Sequence, residues 1–127
     1  MKLRCVQNSI RLRLRKSELQ QLQQEGQVSE SIHFPGGQAL HFSLKSRSGI
    51  ADIQAVMEAG ELAIILPQQI SHTWINSQEV GIEKSLPLPN QQSLHILIEK
   101  DFPCTDREDE DKSDTFWELA NQKADSC

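Results

Sequence analysis

The chain has 127 residues, with 13 Lys+Arg against 18 Asp+Glu and a formal net charge of −5. Only 37% of its residues are hydrophobic, and the longest unbroken apolar run is Leu62–Leu66. That run is far below the ~18 residues of a spanning helix, so composition excludes a helical membrane protein. The N-terminus alternates charged and apolar residues instead of building the apolar stretch of a secretory signal. Three widely spaced cysteines, Cys5, Cys104 and Cys127, form no disulfide framework. The expectation is a reduced, cytoplasmic protein of one domain's length, without membrane association.

Charge divides along the chain. Residues 1–47 carry eight basic and three acidic side chains, and residues 48–127 carry five basic and fifteen acidic ones. A split of that kind points to a charged partner surface, or to one half neutralising the other.

In chain order, Leu3 and Cys5 alternate with Lys2 and Arg4, and Ile10, Leu12 and Leu14 alternate with Arg11, Arg13 and Arg15. Period-two alternation predicts two half-buried strands joined by a turn at Gln7-Asn8-Ser9, with Cys5 on the core side. A short helix follows, with Ser17 as N-cap, Gln20 completing a capping box, Leu19 and Leu22 on one face, and Gly26 closing it. Then come a strand near Val28–Phe34, a turn at Pro35-Gly36-Gly37 and a strand with Leu40, Phe42 and Leu44 on one face.

The second half predicts a strand over Asp52–Glu58, a turn at Ala59-Gly60, and the apolar strand Leu62–Leu66 ending at Pro67. Pro67 suits the first turn of a second helix, on which Ile70 and Trp74 share a face. A strand near Glu79–Lys84, a proline-containing connection at 86–90 and a strand bearing Leu94, Ile96 and Ile98 complete the pattern. From Asp101 the chain is an acidic tail, dense in Asp106, Glu108, Asp109, Glu110, Asp111 and Asp114, with one apolar patch at Phe116-Trp117. Dense like charge favours a flexible, solvated tether.

Both halves read strand–strand–helix–strand–strand. An offset of 52 places Leu3 on Ala55, Ile10 on Leu62, Leu12 on Ile64, Leu22 on Trp74 and Val28 on Val80, while the last strand needs 54. This pattern predicts an internal duplication, with one repeat in 1–47 and the other in 50–100. Asn8-Ser9-Ile10-Arg11-Leu12-Arg13-Leu14, followed by a short helix and two strands, resembles the swapped-hairpin domains of the AbrB/MazE type. Residues 52–99 resemble a diverged copy in which Ile64-Ile65-Leu66-Pro67 keeps the proline of that motif but not the arginine. The resemblance implies a mainly β fold with two short helices, closed as a pseudo-two-fold swapped-hairpin barrel over residues 1–100. The whole chain also resembles a small bacterial family of unknown function. The matching features are Asn8 to Arg13, His33-Phe34, Val80-Gly81, Ile98 to Phe102 with Cys104, and Asp111, Ser113, Asp114 and Phe116.

Three sets of residues carry candidate chemistry. Arg11, Arg13 and Arg15 project from one side of a strand, and Arg4 joins them from its neighbour. Fork-shaped guanidinium donors suit phosphate or carboxylate. The ligand is a nucleic acid, as the AbrB/MazE resemblance implies for Arg4 and Arg13, or another polyanion; the competing reading pairs these arginines with the chain's own carboxylates. The second copy carries Ala63 and Ile65 where Arg11 and Arg13 stand. The tail, with Phe116 and Trp117 as anchors, suits docking on a basic groove, either the arginine face in cis or a protein partner in trans, as acidic tails of MazE-type antitoxins do. His41 and His95 hold related positions, open to a metal pair or to plain solvent exposure. No metal-ligating, nucleophile-elbow or phosphate-loop motif occurs. The sequence therefore predicts a non-catalytic protein without cofactor or metal. Its role is a regulatory module binding nucleic acid or another polyanion through Arg4, Arg11, Arg13 and Arg15. The alternative is an adaptor acting through residues 101–127, and a small enzyme is the third reading.

Overall fold

A computed structural model describes residues 1–102. The acidic stretch, Cys104, Phe116, Trp117 and Cys127 lie outside the described residues. The fold is mainly β with two helices. Its elements are β1 (Lys2–Val6), β2 (Ser9–Leu14), α1 (Lys16–Glu25), β3 (Gln27–His33), β4 (Ala39–Arg47), β5 (Gln54–Glu58), β6 (Glu61–Pro67), α2 (Gln68–Ile75), β7 (Gly81–Pro87) and β8 (Ser93–Lys100). A 3-10 turn at Pro89–Gln91 joins β7 to β8.

The strands form two four-stranded sheets, in the orders β1-β2-β8-β7 and β3-β4-β6-β5. Each sheet takes one hairpin from each half of the chain. The two central seams, β2 with β8 and β4 with β6, are parallel, while the flanking pairs are antiparallel hairpins. Parallel neighbours require a crossover connection: β4 reaches β6 through β5 of the same sheet, and β2 reaches β8 through both helices, the whole second sheet and β7.

Successive side chains on a strand point to opposite faces. Leu3, Leu12, Ile98 and Ile82 therefore make one row across the inner face of the first sheet. Val28, Leu44, Ile64 and Ala55 do the same in the second. These faces meet in one core with Leu19 and Leu22 of α1 and Trp74 of α2. Among the described residues β1, β7, β3 and β5 remain sheet edges, so the predicted closed barrel does not form. The helices pack on β3, β4 and β6.

The two halves repeat the same local bonds. His41 N–H donates to Gly60 O and His95 N–H to Asn8 O; Ser46 N–H donates to Gly26 O and Lys100 N–H to Val80 O. The equivalence runs at an offset of 52 through the helices and 54 from β3 onward. Val28 thus corresponds to Ile82 rather than to Val80, which is exposed. The shift arises after the helices. Gly26, in the left-handed region at φ 79, ends α1 directly before β3, whereas Asn76 ends α2 at φ −96 and a longer connection leads to β7. Only the left-handed residue turns the chain back so tightly.

Four local expectations are corrected. The N-cap of α1 is Arg15, not Ser17, and Glu18 rather than Gln20 reaches back to accept the Arg15 N–H at 2.9 Å. Glu18 wins that position because the same carboxylate also takes the buried Met1 ammonium, which bonds Glu30 as well. On α2 the buried face is Ser71 with Trp74, and Ile70 is exposed. Ser71 tolerates full burial because its hydroxyl is satisfied by Ser46 Oγ at 2.6 Å and Gln68 O at 2.9 Å. Pro67 ends β6 and caps α2, one residue before the helix begins. Cys5 lies on the inner parity of β1 but is exposed, since it sits on an edge strand toward the hairpin end.

Two outcomes follow from this packing. Trp74 is 1% exposed in the centre of the core, so Trp74→Ala is expected to cost about 3–5 kcal/mol, read by urea denaturation. Burial alone would raise the Glu18 pKa, but the Arg15 amide and the Met1 ammonium outweigh it and hold the carboxyl below its ordinary 4.5. Its stabilisation is thus complete above pH 4.5 and lost as pH falls through the lower folded value. Glu18→Gln is expected to melt earlier than the natural chain at pH 6 to 7, and the gap is expected to narrow steadily below pH 4.5.

Candidate functional site

The outer face of the first sheet carries the basic residues. Strand register places them in rows: Lys2, Arg13, Glu99 and Gly81 in one, Arg4, Arg11, Leu97 and Glu83 in the next, and Val6, Ser9, His95 and Ser85 in the third. Directly opposite residues on adjacent strands approach within about 5.5 Å. Lys2, Arg4, Arg11 and Arg13 therefore form one cationic block on two neighbouring strands. Arg15 does not join it: it lies beyond β2, and its Nε points to Glu18 Oε1 at 3.5 Å.

The block is partly neutralised from β8. Glu99 Oε1 receives Arg11 Nε at 3.2 Å and Arg13 Nε at 3.4 Å. One carboxylate oxygen thus serves two guanidinium groups. Lys2 Nζ meets Asp101 at 3.1 Å, but its side chain is 69% exposed, so water screens the pair. Arg4 has no ion-pair partner among the described residues. Arg13 is enclosed, at 13% exposure, under the Phe102 ring 5.5 Å from its guanidinium carbon. Among the described residues its Nη2 is buried with no hydrogen-bond acceptor. Gly81 ends the row because there is no room for more: a Cβ there would lie 2.8 Å from Ile98 O and 3.2 Å from Glu99 Cγ.

The same face holds a Ser85–His95–Glu83 line, with Ser85 Oγ 3.2 Å from His95 Nδ1 and Glu83 Oε1 2.9 Å from Nε2. The second sheet repeats its first part as Ser31–His41, with an oxygen–nitrogen distance of 2.7 Å. His41 and His95 therefore stand on separate sheets and do not face each other. No group of three or more metal-ligating side chains exists among the described residues.

The equivalent face of the second sheet is different. At the places of Lys2, Arg4, Arg11 and Arg13 stand Gln54, Val56, Ala63 and Ile65. There Lys45 and Ser43 bond Glu61 and hold its carboxyl below the usual range. The cationic block thus belongs to one of two similarly built faces.

A family model matches residues 1–119, described as a family of unknown function, DUF7009. The chain belongs to that family. The DUF7009 match spans both sheets and continues through the acidic stretch to Phe116 and Trp117. Comparison with curated proteins and with solved structures finds no match.

Alternation put Arg4, Arg11 and Arg13 on one face, where the register has them, and did not anticipate the contacts that Lys2, Glu99, Asp101 and Phe102 make there. Lys2 shares the parity of Arg4, so that signal was present. The other three come beside β2 only through the parallel β2–β8 seam, which periodicity does not encode. Removing the shared carboxylate leaves the Arg11 and Arg13 guanidiniums side by side on β2 without their common counter-ion. Glu99→Gln is expected to cost about 1–3 kcal/mol in urea denaturation, with the loss shrinking in a buffer rich in phosphate.

Proposed function

We propose that this protein is a non-catalytic binding module for nucleic acid or another polyanion. It works through Arg4, Arg11 and Arg13 with Lys2, on the outer face of the first sheet. The observation that carries the reading is the shared Glu99. Two arginines depend on one carboxylate oxygen, Arg4 has no described partner, and the face retains positive charge although the chain is acidic overall. Phosphodiesters suit such a surface, because guanidinium forks bind phosphate oxygens in pairs and neutralisation releases counterions. Arg15 is left out of the binding set, since Glu18 engages it at the start of α1.

We read the two halves as diverged copies of one swapped-hairpin unit of the AbrB/MazE type. The hairpin exchange between sheets and the bonds repeated at constant offsets support that reading. Its basic face survives in the first copy only, so the footprint is one-sided. A reducing compartment fits a chain with an exposed free cysteine at Cys5. The family match to residue 119 favours a second contribution, from the tail with Phe116 and Trp117, as an adaptor element.

The test is titration of a labelled 20-nucleotide single strand by anisotropy at several salt concentrations. Binding is expected to weaken linearly in log–log form as salt rises. An Arg4→Ala/Arg11→Ala double variant is expected to reduce the slope by roughly 1 for each phosphate that the protein no longer neutralises. Lys45→Ala, on the second sheet, is expected to leave it unchanged. Undetectable binding at low salt, or an unaltered slope in the double variant, overturns the proposal.

A further inference from the structure

The outer face of the first sheet is polarised across its strands. Its four cations, Lys2, Arg4, Arg11 and Arg13, all stand on β1 and β2. The outward positions of β8 and β7 hold two carboxylates, Glu99 and Glu83, and no lysine or arginine. Glu99 is turned to the arginines, whereas Glu83 is exposed on the far strand. Between the arginines and Glu83 lies a low, uncharged floor. Gly81 has no side chain, and Leu97 Cδ1 leans over it, 3.6 Å from where a Cβ would stand.

The cations also have a spacing along the strands. They form two rows, Lys2 with Arg13 and Arg4 with Arg11. Alternate residues of a strand are separated by about 6.7 Å. Neighbouring phosphates of an extended nucleic acid strand, one sugar apart, match that separation. The phosphates of a diphosphate or of inorganic polyphosphate, one oxygen apart, are much closer. In one row Arg4 is exposed and Arg11 partly so, directly opposite each other. In the other Lys2 is exposed, and the enclosed Arg13 lies beside it. The third row, Val6 with Ser9, has no cation, so the track ends after two.

We infer that this face takes single-stranded nucleic acid on two consecutive phosphates, with the backbone along β1 and β2 and the bases over Leu97 and Gly81. The inference rests on the polyanion reading and names the class of ligand and its register. The forks of Arg4 and Arg11 grip one phosphate, and Lys2 takes the next. A base projects sideways from its backbone, and adjacent strands are about 4.8 Å apart, so it falls on β8 and β7. Leu97 gives it apolar contact there. Ser85 and Glu83, held by His95 at 3.2 and 2.9 Å, border it with hydrogen-bonding groups. A duplex does not suit this face, because its bases are already paired and its second backbone meets the Glu83 carboxylate. Polyphosphate matches neither the row spacing nor the uncharged floor.

Two measurements on the full chain at low salt test this, with the labelled single strand made as DNA and as RNA. The first is displacement of the strand by small competitors. Adenosine 3′,5′-bisphosphate carries its phosphates one ribose apart, and adenosine 5′-diphosphate carries them one oxygen apart. The bisphosphate is expected to displace the strand at several-fold lower concentration, and Lys2→Ala is expected to remove that advantage. Equal potency on the natural chain overturns the two-phosphate register. The second measurement compares the single strand with a duplex of the same sequence. The single strand is expected to bind several-fold more tightly. Leu97→Ala is expected to erase that preference by weakening the single strand alone, so the duplex reports that the variant is folded. A duplex bound as tightly as the single strand, or weakened as much by Leu97→Ala, overturns the placement of the bases. Either failure with strand binding intact leaves the polyanion reading standing, whereas no binding of DNA or RNA removes both.

Discussion

The structure depends on the two parallel seams, β2 with β8 and β4 with β6. Each half of the chain makes two antiparallel hairpins, and neither hairpin of a half pairs with the other. A lone hairpin is marginal in water, and here each one gains a second strand neighbour only from the opposite half. The core follows from that exchange. Leu12 and Leu14 stand beside Ile98 and Lys100, while Leu44 and Leu66 come from different halves and pack in one cluster with Trp74. The same seam builds the candidate site, because it lays the end of β8 along the arginine strand. Glu99 lies 86 residues from Arg13 in sequence and directly beside it in space.

The two outer faces share a backbone plan and differ in chemistry. Ser31–His41 and Ser85–His95 recur at equivalent places, as do the loop bonds of Phe34 with Gln38 and Leu88 with Gln92. Those features serve the hairpins themselves. The cations do not recur: Gln54, Val56, Ala63 and Ile65 hold their places on the second sheet. Strand pairing tolerates either set, since outward side chains make no demand on the core. The basic set is costly to keep, because Arg4 and Arg11 stand directly opposite each other and repel. Uncharged residues hold the equivalent places on the second sheet, and the proposed polyanion site rests on that difference.

Much of this fold was legible because it is local. Alternation from Ile10 to Leu14, the glycine after α1, the Ala59-Gly60 turn and the offset between halves all reside in neighbouring residues. What escaped depends on distant ones. Ser71 looks like a surface residue until Ser46 supplies its hydrogen bond, so Ile70 takes its place in a periodicity argument. Ser17 is the better intrinsic N-cap, yet Glu18 decides where α1 starts because an ammonium group reaches it from the chain's beginning. Cys5 has the right parity for the core, but no layer covers that end of an edge strand. Barrel closure likewise turns on strand edges meeting, and no residue pattern within a strand reports that.

The division of charge along the chain acquires a spatial meaning in the β2–β8 seam. A basic first half and an acidic second half would be a weak, screened attraction if they sat as separate bodies. Interleaved hairpins bring their charges to hydrogen-bond distance instead, where Glu99 meets Arg11 and Arg13, and Asp101 meets Lys2. That arrangement neutralises some of the block and no more, because β8 ends just there. The acidic residues that follow Phe102 in sequence lie outside the described residues. The net charge of −5 therefore coexists with a cationic block on the first sheet. The excess negative charge is concentrated after residue 100 in sequence, so the sum describes the whole chain and not the outer face of the first sheet.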